Sequence, residues 1–180
     1  MTNILITEFM NEESVKTLKK NFNVKYDKNL FQNEKKIKEE ISNFEAIIVR
    51  NKTQLQKTVL DEAIKLKFVG RLGVGLDNID KEYCNKKNIH IQIASGINAD
   101  SVAEYVIGSS LHLIKNITLF NYETKKGMWP RSSFNSRELK EKIFGLIGFG
   151  AIGKKVCKIV QSFGAKVITY DPYIDKKLEN

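Results

Sequence analysis

Cysteines and long apolar runs are both scarce in this chain of 180 residues. The two cysteines, Cys84 and Cys157, lie far apart and form neither a C-x-x-C motif nor a zinc spacing. Two separate thiols of this kind are typical of a protein from a reducing compartment. No apolar stretch reaches membrane-spanning length, and the N-terminus begins with a strand pattern rather than an export signal. These absences predict a soluble cytoplasmic protein with no metal site and no membrane partner.

A basic run interleaved with aromatic residues is also missing. The formal net charge is +9, a balance that can indicate a nucleic-acid partner. However, the lysines are scattered over the polar faces of expected helices, and only four residues are arginine. Scattered cations are typical of solvated helix faces. We therefore expect no nucleic-acid partner; steeply salt-dependent binding would be the sign of one.

Strand and helix patterns alternate through the first ninety-odd residues. Short β-rich runs indicate strands at Ile4–Ile6, Val24–Tyr26, Ala46–Val49, Phe68–Gly70 and Ile89–Ile93. Helical patterns lie between them, at Glu13–Lys20, Glu34–Ser42, Val59–Lys65 and Ile79–Lys87. This alternation predicts βαβ units that form a parallel sheet, with right-handed crossovers that place helices on both faces.

A second region begins near Asn98 with a long amphipathic pattern. In DSVAEYVIGSSLHLI the apolar residues recur at three- and four-residue steps, which is typical of a helix. Asp100 or Ser101 is the expected N-cap, and Glu104 would complete a capping box with Ser101. The segment Gly127–Arg137 is expected to be a loop. We therefore predict a domain over residues 1–97 and a second domain over residues 98–180.

A glycine-rich motif, GLIGFGAIG, lies near the C-terminus. Gly148, Gly150 and Gly153 have the G-x-G-x-x-G spacing of dinucleotide-binding turns. The first glycine allows a tight turn, the second lets a pyrophosphate approach the backbone, and the third lets helix and strand pack closely. The phosphates would then lie on the unpaired N–H groups at the start of the helix.

The context of this motif matches that function. A strand pattern at Ile143–Ile147 precedes it, a helical pattern at Ala151–Phe163 follows it, and the strand pattern Lys166–Tyr170 leads to Asp171. An acidic residue about 20 positions after the motif is the expected partner of the ribose. All four parts together predict dinucleotide binding, and the alternative is a glycine-rich βαβ turn that binds no ligand.

Only nine residues follow Asp171. A complete doubly wound domain needs two βαβαβ halves, so we expect a truncated domain that contains only the first βαβ. A strand left at the edge of such a partial sheet is prone to pair with other chains. We therefore expect the isolated chain to associate or to dissolve poorly.

Four strings in order resemble one enzyme family: IIVRNKTQL, FVGRLGVGLDNID, GINADSVAEY, and GLIGFGAIG with YDP. Together they resemble the D-isomer-specific 2-hydroxyacid dehydrogenases, and most closely the phosphoglycerate dehydrogenase branch. The strings ILITEFM and WPR are more similar to the sulfolactate dehydrogenases of that group. The resemblance implies a flavodoxin-like substrate domain followed by a Rossmann domain that binds NAD, with the active site in the cleft between them. It also implies the interconversion of a 2-hydroxy acid and a 2-oxo acid.

Arg50 and Asn51 are the first expected substrate residues. Arg50 follows a buried strand, and ligands of open α/β sheets bind at the carboxyl ends of the strands. The resemblance implies that Arg50 grips a second anionic group, so that the substrate is of the 3-phosphoglycerate or sulfolactate type. A planar fork of donors suits such a group. The alternative is a surface arginine without a partner.

Val74 and Gly75 are the second pair of expected substrate residues. They lie in LGVGLD, where glycines let a ligand approach the backbone, and the resemblance implies that this loop holds the substrate carboxylate. The alternative is an ordinary turn whose following helix is capped by Asp77 or Asn78. Arg71, just before the loop, is interpreted as a structural ion-pair residue.

The expected cofactor is NAD, and the remaining expected contacts are one to the substrate and several to this cofactor. The resemblance implies that Asn98 is a hinge and a polar contact to the substrate, and that Val102 lies where the helix passes the nicotinamide. The alternative for Val102 is a residue of the hydrophobic core. Ala151 and Ile152 should offer backbone N–H groups to the pyrophosphate. The carboxylate of Asp171 should accept the ribose hydroxyls and repel a 2′-phosphate, which favours NAD over NADP.

No catalytic residue is assigned. The family reaction uses a histidine paired with a carboxylate and a second arginine, all expected downstream of this chain. His90 lies in a strand and His112 in a helix, and both are interpreted as structural. We therefore expect these 180 residues to be inactive alone, and the full-length protein to be a homodimer or larger. The alternative function is a non-catalytic NAD(H)-sensing or corepressor-type binding module.

Overall fold

The computed structural model describes residues 1–132 and 135–174 of the chain. The chain divides into two compact units, Met1–Ser95 and Gly96–Asn180. The domain boundary predicted at residue 97 differs from this division by two residues. Within the described residues, no helix is both long enough and apolar enough to cross a membrane.

The first unit is built on a parallel sheet of five strands. These are β1 (Asn3–Ile6), β2 (Asn23–Tyr26), β3 (Ala46–Val49), β4 (Phe68–Arg71) and β5 (His90–Ile93). Their order is β2-β1-β3-β4-β5, and every neighbouring pair is parallel. This is the flavodoxin-like order of doubly wound folds, and the predicted fold class is confirmed. All five predicted strands are present to within one residue at each end.

Helices cover both faces of this sheet. They are α1 (Glu12–Lys19), α2 (Glu34–Ile41), α3 (Lys57–Leu60) and α4 (Lys81–Lys86), with a 3-10 turn at Leu30–Gln32. Side chains alternate along each strand, so Ile47 packs with α2, α3 and α4, whereas Ile4 and Ile6 pack with Val15 of α1. Neither the 3-10 turn nor the shortness of α3 was predicted. Asp80, not Asp77 or Asn78, caps α4, because its carboxylate accepts the N–H of Tyr83 at 2.9 Å.

Within residues 96–132 and 135–174, the second unit contains three helices and a two-stranded parallel sheet. They are α5 (Ala99–Lys115), α6 (Ile117–Lys125), β6 (Ile143–Ile147), α7 (Ala151–Ser162) and β7 (Lys166–Tyr170). Ala103 and Ile107 of α5 pack against Val156 and Val160 of α7. Lys155 of α7 and Asp100 of α5 form an ion pair. The predicted βαβ is therefore present, whereas α6 was not predicted.

The start of α5 differs from the prediction. The helix begins at Ala99, so Asn98 is the N-cap residue, although its side chain makes no capping hydrogen bond. The expected capping box of Ser101 and Glu104 is wrong because both residues already lie within the first two turns. Asn116 separates α5 from α6 with a left-handed conformation, φ 53°.

One face of the second sheet is open to solvent. Phe144, Leu146 and Val167 point towards α5 and α7 and pack on their core. The alternate residues Ile143, Ile147 and Ile168 are 67%, 93% and 60% exposed. The apolar residues of this outer face therefore lie in water along the whole length of both strands.

Candidate functional site

A buried carboxylate organises the loop that follows β3. Glu8 lies just beyond β1 and is almost fully buried. One of its oxygens, Oε1, accepts the N–H groups of Arg50 at 2.8 Å and Thr53 at 3.0 Å, and Oε2 accepts that of Lys52 at 3.1 Å. Burial alone would raise the pKa of Glu8, but these three N–H groups outweigh burial and hold the pKa below its ordinary value. Glu8 is therefore an ionised anchor for the loop.

The same loop is held from its other side by Asn78. The side-chain amide of Asn78 donates to the carbonyl oxygen of Thr53 at 2.7 Å and to that of Arg50 at 3.2 Å. The hydroxyls of Thr7 and Thr53 also share a hydrogen bond of 2.7 Å. The backbone of the loop is thus fixed, while the side chains of Arg50 and Asn51 remain exposed. This arrangement presents Arg50 at the carboxyl edge of the sheet, as predicted from its position after the strand.

Sequence reasoning missed Glu8, Thr53 and Asn78. A usable signal existed for Glu8, because a carboxylate directly after an apolar strand would lie at the carboxyl edge of a parallel sheet. Neighbouring parallel strands end at the same edge, and β1 pairs with β3. No local pattern pointed to Asn78, which was considered only as a possible helix cap.

The loop after β4 contains Val74 and Gly75, both exposed. Gly73 has a φ of 159°, and a side chain there would collide with the guanidinium of Arg71, which folds over it. The ion pair expected of Arg71 is not among those that the described residues form. Its Nε is buried and has no hydrogen-bond partner within those residues. The loop therefore exposes its backbone beside an arginine that pairs with no carboxylate of the residues the structure describes.

In the second unit, the glycine-rich turn has the geometry that its spacing predicts. Gly148 has a φ of 93°, a left-handed conformation that favours glycine. Gly153 is buried, and a Cβ at this position would collide with the carbonyl oxygen of Gly148. Gly150 is the N-cap of α7 and provides no capping side chain, while Ala151 and Ile152 of the first turn are exposed. The positive end of α7 is thus open to an anion.

The carboxylate of Asp171 faces this turn. Its Oδ2 accepts the N–H of Phe149 at 2.7 Å, and its Oδ1 accepts that of Tyr173 at 2.9 Å. The N–H of Phe149, and then that of Tyr173, lower the pKa of Asp171 below its ordinary value, against a smaller opposing effect of burial. An ionised carboxylate therefore lies beside the turn at the end of β7.

Asn98 and Val102 lie near the start of α5. Asn98 is exposed, and its carbonyl oxygen accepts the N–H of Val102 at 3.0 Å. Val102 is half-buried and lies outside the hydrophobic core that joins α5 to α7. Neither side chain is therefore committed to that core.

The two histidines make structural contacts. His90 starts β5, at the edge of the sheet opposite Arg50, and its ring packs against Phe68 with centroids 5.6 Å apart. The Nε2 atom of His112 shares a hydrogen bond of 2.6 Å with the hydroxyl of Thr118.

The fold and the glycine turn define an α/β protein that combines a flavodoxin-like sheet with a dinucleotide-type βαβ. Residues 4–166 match the family model of the D-isomer specific 2-hydroxyacid dehydrogenase catalytic domain. The chain belongs to this family, and the resemblance noted in its motifs is confirmed.

Named relatives point to the same branch of the family. The chain is 35% identical over 174 residues to the (S)-sulfolactate dehydrogenase of Chromohalobacter salexigens, covering 97% of this chain and 56% of that protein. It is 37% identical over 178 residues to the D-3-phosphoglycerate dehydrogenase of Methanocaldococcus jannaschii, covering 99% and 34%. The crystal structure of NAD⁺-bound 3-phosphoglycerate dehydrogenase from Entamoeba histolytica superposes with a TM-score of 0.74 at 27% identity, covering 98% and 56%. The chain thus spans between about a third and just over half of these proteins.

Proposed function

We propose that this chain supplies the substrate-binding unit and the first βαβ of the nucleotide-binding domain of an NAD-dependent 2-hydroxyacid dehydrogenase. The substrate is a 2-hydroxy or 2-oxo acid with a second anionic group, of the 3-phosphoglycerate or sulfolactate type. Family membership and the names of the relatives support this class of substrate. The observation that carries the proposal is the open start of α7 with the ionised Asp171 beside it.

In this proposal each part of the nucleotide site has one task. The N–H groups of Ala151 and Ile152 bind the pyrophosphate, which Gly148 and Gly150 allow to come close. Asp171 has lone pairs left after its two backbone hydrogen bonds, and these accept the ribose hydroxyls. Val102 lies against the nicotinamide. The same carboxylate repels a 2′-phosphate, so NAD is the cofactor.

In the first unit, the proposed substrate contacts are Arg50, Asn51, Val74 and Gly75, joined by Asn98 of the second unit. Arg50 binds the second anion through its guanidinium, and the exposed backbone after β4 binds the carboxylate. We further propose a cytoplasmic protein, in keeping with its two free thiols, whose full-length form is a homodimer or larger.

These 180 residues alone should not turn over, because the carboxylates at the proposed sites, Glu8 and Asp171, already accept backbone N–H groups. The two histidines contact Phe68 and Thr118 instead. Mixing the chain with NADH and either 3-phosphohydroxypyruvate or 3-sulfopyruvate should give no NADH oxidation. Robust oxidation would refute this assignment. If the chain is instead a sensing module, NADH should bind and a protein partner should associate without turnover even in the full-length protein.

The direct test of the nucleotide site is the substitution Asp171→Asn. We expect NADH to bind roughly tenfold more weakly, because a charge-assisted hydrogen bond to the ribose is lost. The preference for NADH over NADPH should shrink at the same time. Titration calorimetry measures both, and Glu104→Gln, which removes a charge from an exposed position on α5, is the control. A wild-type chain that binds no dinucleotide would contradict the proposal.

A further inference from the structure

The starts of α5 and α7 lie side by side in the second unit. The ammonium group of Lys155, in the second turn of α7, forms an ion pair with the carboxylate of Asp100, in the first turn of α5. Further along the two helices, Ala103 of α5 and Val156 of α7 belong to the same buried core. The proposed pyrophosphate site therefore has the start of a second helix as its neighbour.

The direction of the Lys155 side chain brings its charge towards the start of α7. Long side chains on a helix lean towards its N-terminus, and residues four apart lie on the same face. Lys155 is four residues after Ala151, so its stem runs towards the first turn, where the proposed site lies. Ala151 is exposed and has only a methyl group, which leaves this path open. A lysine in this position can thus present a cation to an anion bound at the helix start.

The charges around the start of α7 make such a cation useful. The first turn of α7 contains no acidic residue, and its N-cap, Gly150, has no side chain. Two carboxylates lie close by, however: Asp171 beside the turn and Asp100 on the neighbouring helix. Both would repel a pyrophosphate, and Asp100 also holds the ammonium group that would attract it. Bound pyrophosphate would therefore gain from Lys155 and lose from Asp100.

The ion pair is exposed enough to exchange partners. The side chain of Lys155 is 41% exposed and that of Asp100 is 75% exposed. Ion pairs between exposed groups contribute little to stability, whereas charge-assisted hydrogen bonds to a phosphate are among the stronger ones. Asp100 also keeps a favourable position without Lys155, because a carboxylate in the first turn of a helix interacts with the helix dipole.

We propose that Lys155 is a further cofactor-binding residue, which pairs with Asp100 in the free chain and with the pyrophosphate of NAD in the bound chain. Asp100 then competes with the cofactor for the same ammonium group. The inference rests on the proposed function, in which the pyrophosphate lies at the start of α7, and adds to it a residue outside the glycine-rich motif. Substitutions of Lys155 and Asp100 should therefore change cofactor affinity in opposite directions.

The test is a calorimetric titration of the 180-residue chain with NADH, ADP and adenosine. Lys155→Gln should bind NADH and ADP about fivefold more weakly, because a charge-assisted contact to the phosphates is lost. Asp100→Asn should bind both about threefold more tightly, since the competing carboxylate is gone. Adenosine, which has no phosphate, should bind the wild-type chain and both variants equally.

The double variant Lys155→Gln/Asp100→Asn separates competition from simple repulsion. If Asp100 acts by holding Lys155, then Asp100→Asn should tighten ADP binding much less once Lys155 has been replaced. An equal gain from Asp100→Asn in both backgrounds would show that Asp100 only repels the phosphates, and it would overturn the exchange of partners.

The matched controls are Lys158→Gln and Glu104→Gln, which make the same changes of charge at exposed positions about one turn further along α7 and α5. Equal weakening in Lys158→Gln and Lys155→Gln, or none in either, would overturn the proposal. NADH binding by the wild-type chain separates this inference from the proposed function. If the wild-type chain binds NADH and Lys155→Gln binds it equally well, the Lys155 contact alone is refuted, whereas a wild-type chain that binds no dinucleotide refutes the proposed function and this inference with it.

Discussion

The two units of this chain bury their sheets to different extents. The five strands of the first unit have helices on both faces, and Leu5, Ile47 and Val69 are completely buried. In the part of the second unit that the structure describes, helices pack on one face of the two strands, and Ile147 on the other face is 93% exposed. Because apolar burial is the main favourable term in folding, we expect the first unit to be stable by itself. The second carries an apolar face of the kind that marks an interaction surface.

The largest expected effect compares two strand isoleucines, Ile47, which is buried in the first unit, and Ile147, which is exposed in the second. Ile47→Ala removes a fully buried side chain from β3 and should lower the free energy of unfolding of the first unit by about 2–5 kcal/mol. Ile147→Ala in β6 should change the free energy of unfolding of the second unit by less than about 0.5 kcal/mol, because that side chain already lies in water. Urea denaturation followed by circular dichroism measures both. A large loss for Ile147→Ala would show that the outer face of the second sheet is covered in solution.

Self-association of the chain is a second measurement of whether the outer face of the second sheet is covered in solution. We expect sedimentation to show concentration-dependent association of the wild-type chain, as the exposed edge and face predict. Ile147→Ser with Ile168→Thr should weaken it. A wild-type chain that stays monomeric at every concentration would contradict this expectation.

The next effect concerns the turn in the second unit. Gly153→Ala should destabilise that unit by about 1–3 kcal/mol, because the new Cβ meets the carbonyl oxygen of Gly148 and overpacks the turn. Binding of NADH should be lost with it. The control is Gly145→Ala in β6, where no atom lies within 4 Å of the new Cβ. Thermal unfolding and fluorescence titration separate the two variants, and equal effects would show that the turn does not depend on close packing.

A comparable effect is expected at Glu8 in the first unit. Glu8→Gln replaces one acceptor oxygen with a donor, so at least one of the three backbone N–H groups loses its partner, at a cost of about 1–3 kcal/mol. Because the folded-state pKa is lowered, this stabilisation is present above the ordinary pKa and is lost as the pH falls through the folded-state value. Wild-type stability should therefore fall below about pH 4.5 more steeply than that of the variant. The exposed Glu39→Gln is the control, and parallel pH profiles for wild type and Glu8→Gln would refute the anchor.

The smallest expected effect is a difference in labelling rate between two thiols, one in each unit, and it leaves stability unchanged. Cys84 is fully buried in the first unit, and burial, with a smaller contribution from Asp80, raises its pKa to about 11. Cys157 in α7 is half-buried. We expect iodoacetamide to label Cys157 in the native protein, and Cys84 only as fast as the first unit opens. Mass spectrometry of timed samples shows which thiol is labelled first. Equal labelling rates for Cys84 and Cys157 would contradict the expectation that the first unit protects its thiol better than the second.

The local sequence pattern was sufficient to predict an element wherever the whole pattern lay within one segment of the chain. The five strands of the first unit, the strand–turn–helix around Gly148 and the position of Asp171 all followed from apolar runs, glycine spacing and the length of the connections. The helix α6 was missed because its sequence, ITLFNYETK, follows α5 after the single left-handed residue Asn116. The 3-10 turn at Leu30–Gln32 carries no periodic signal of its own.

Hydrogen-bond partners that are distant along the chain could not be predicted from local sequence patterns. The bonds between Glu8 and the loop of Arg50 span more than 40 residues, and those of Asn78 span 25 and 28. Side chains of this kind are positioned by whichever strands become neighbours.

By itself, then, the amino-acid sequence determined that this is an α/β chain of the 2-hydroxyacid dehydrogenase family with a glycine turn and an acidic strand end. The fold class, the glycine turn and the acidic strand end depend on periodicity and spacing within a few tens of residues, whereas the family follows from the resemblance of four ordered motifs. Only the tertiary structure decided which charged groups lie close together. The carboxylate of Glu8 accepts three backbone N–H groups, and the cationic side chains of Lys28, Arg50 and Lys52 line the same cavity. The physical reason is that a parallel sheet brings together the ends of strands that are distant along the chain.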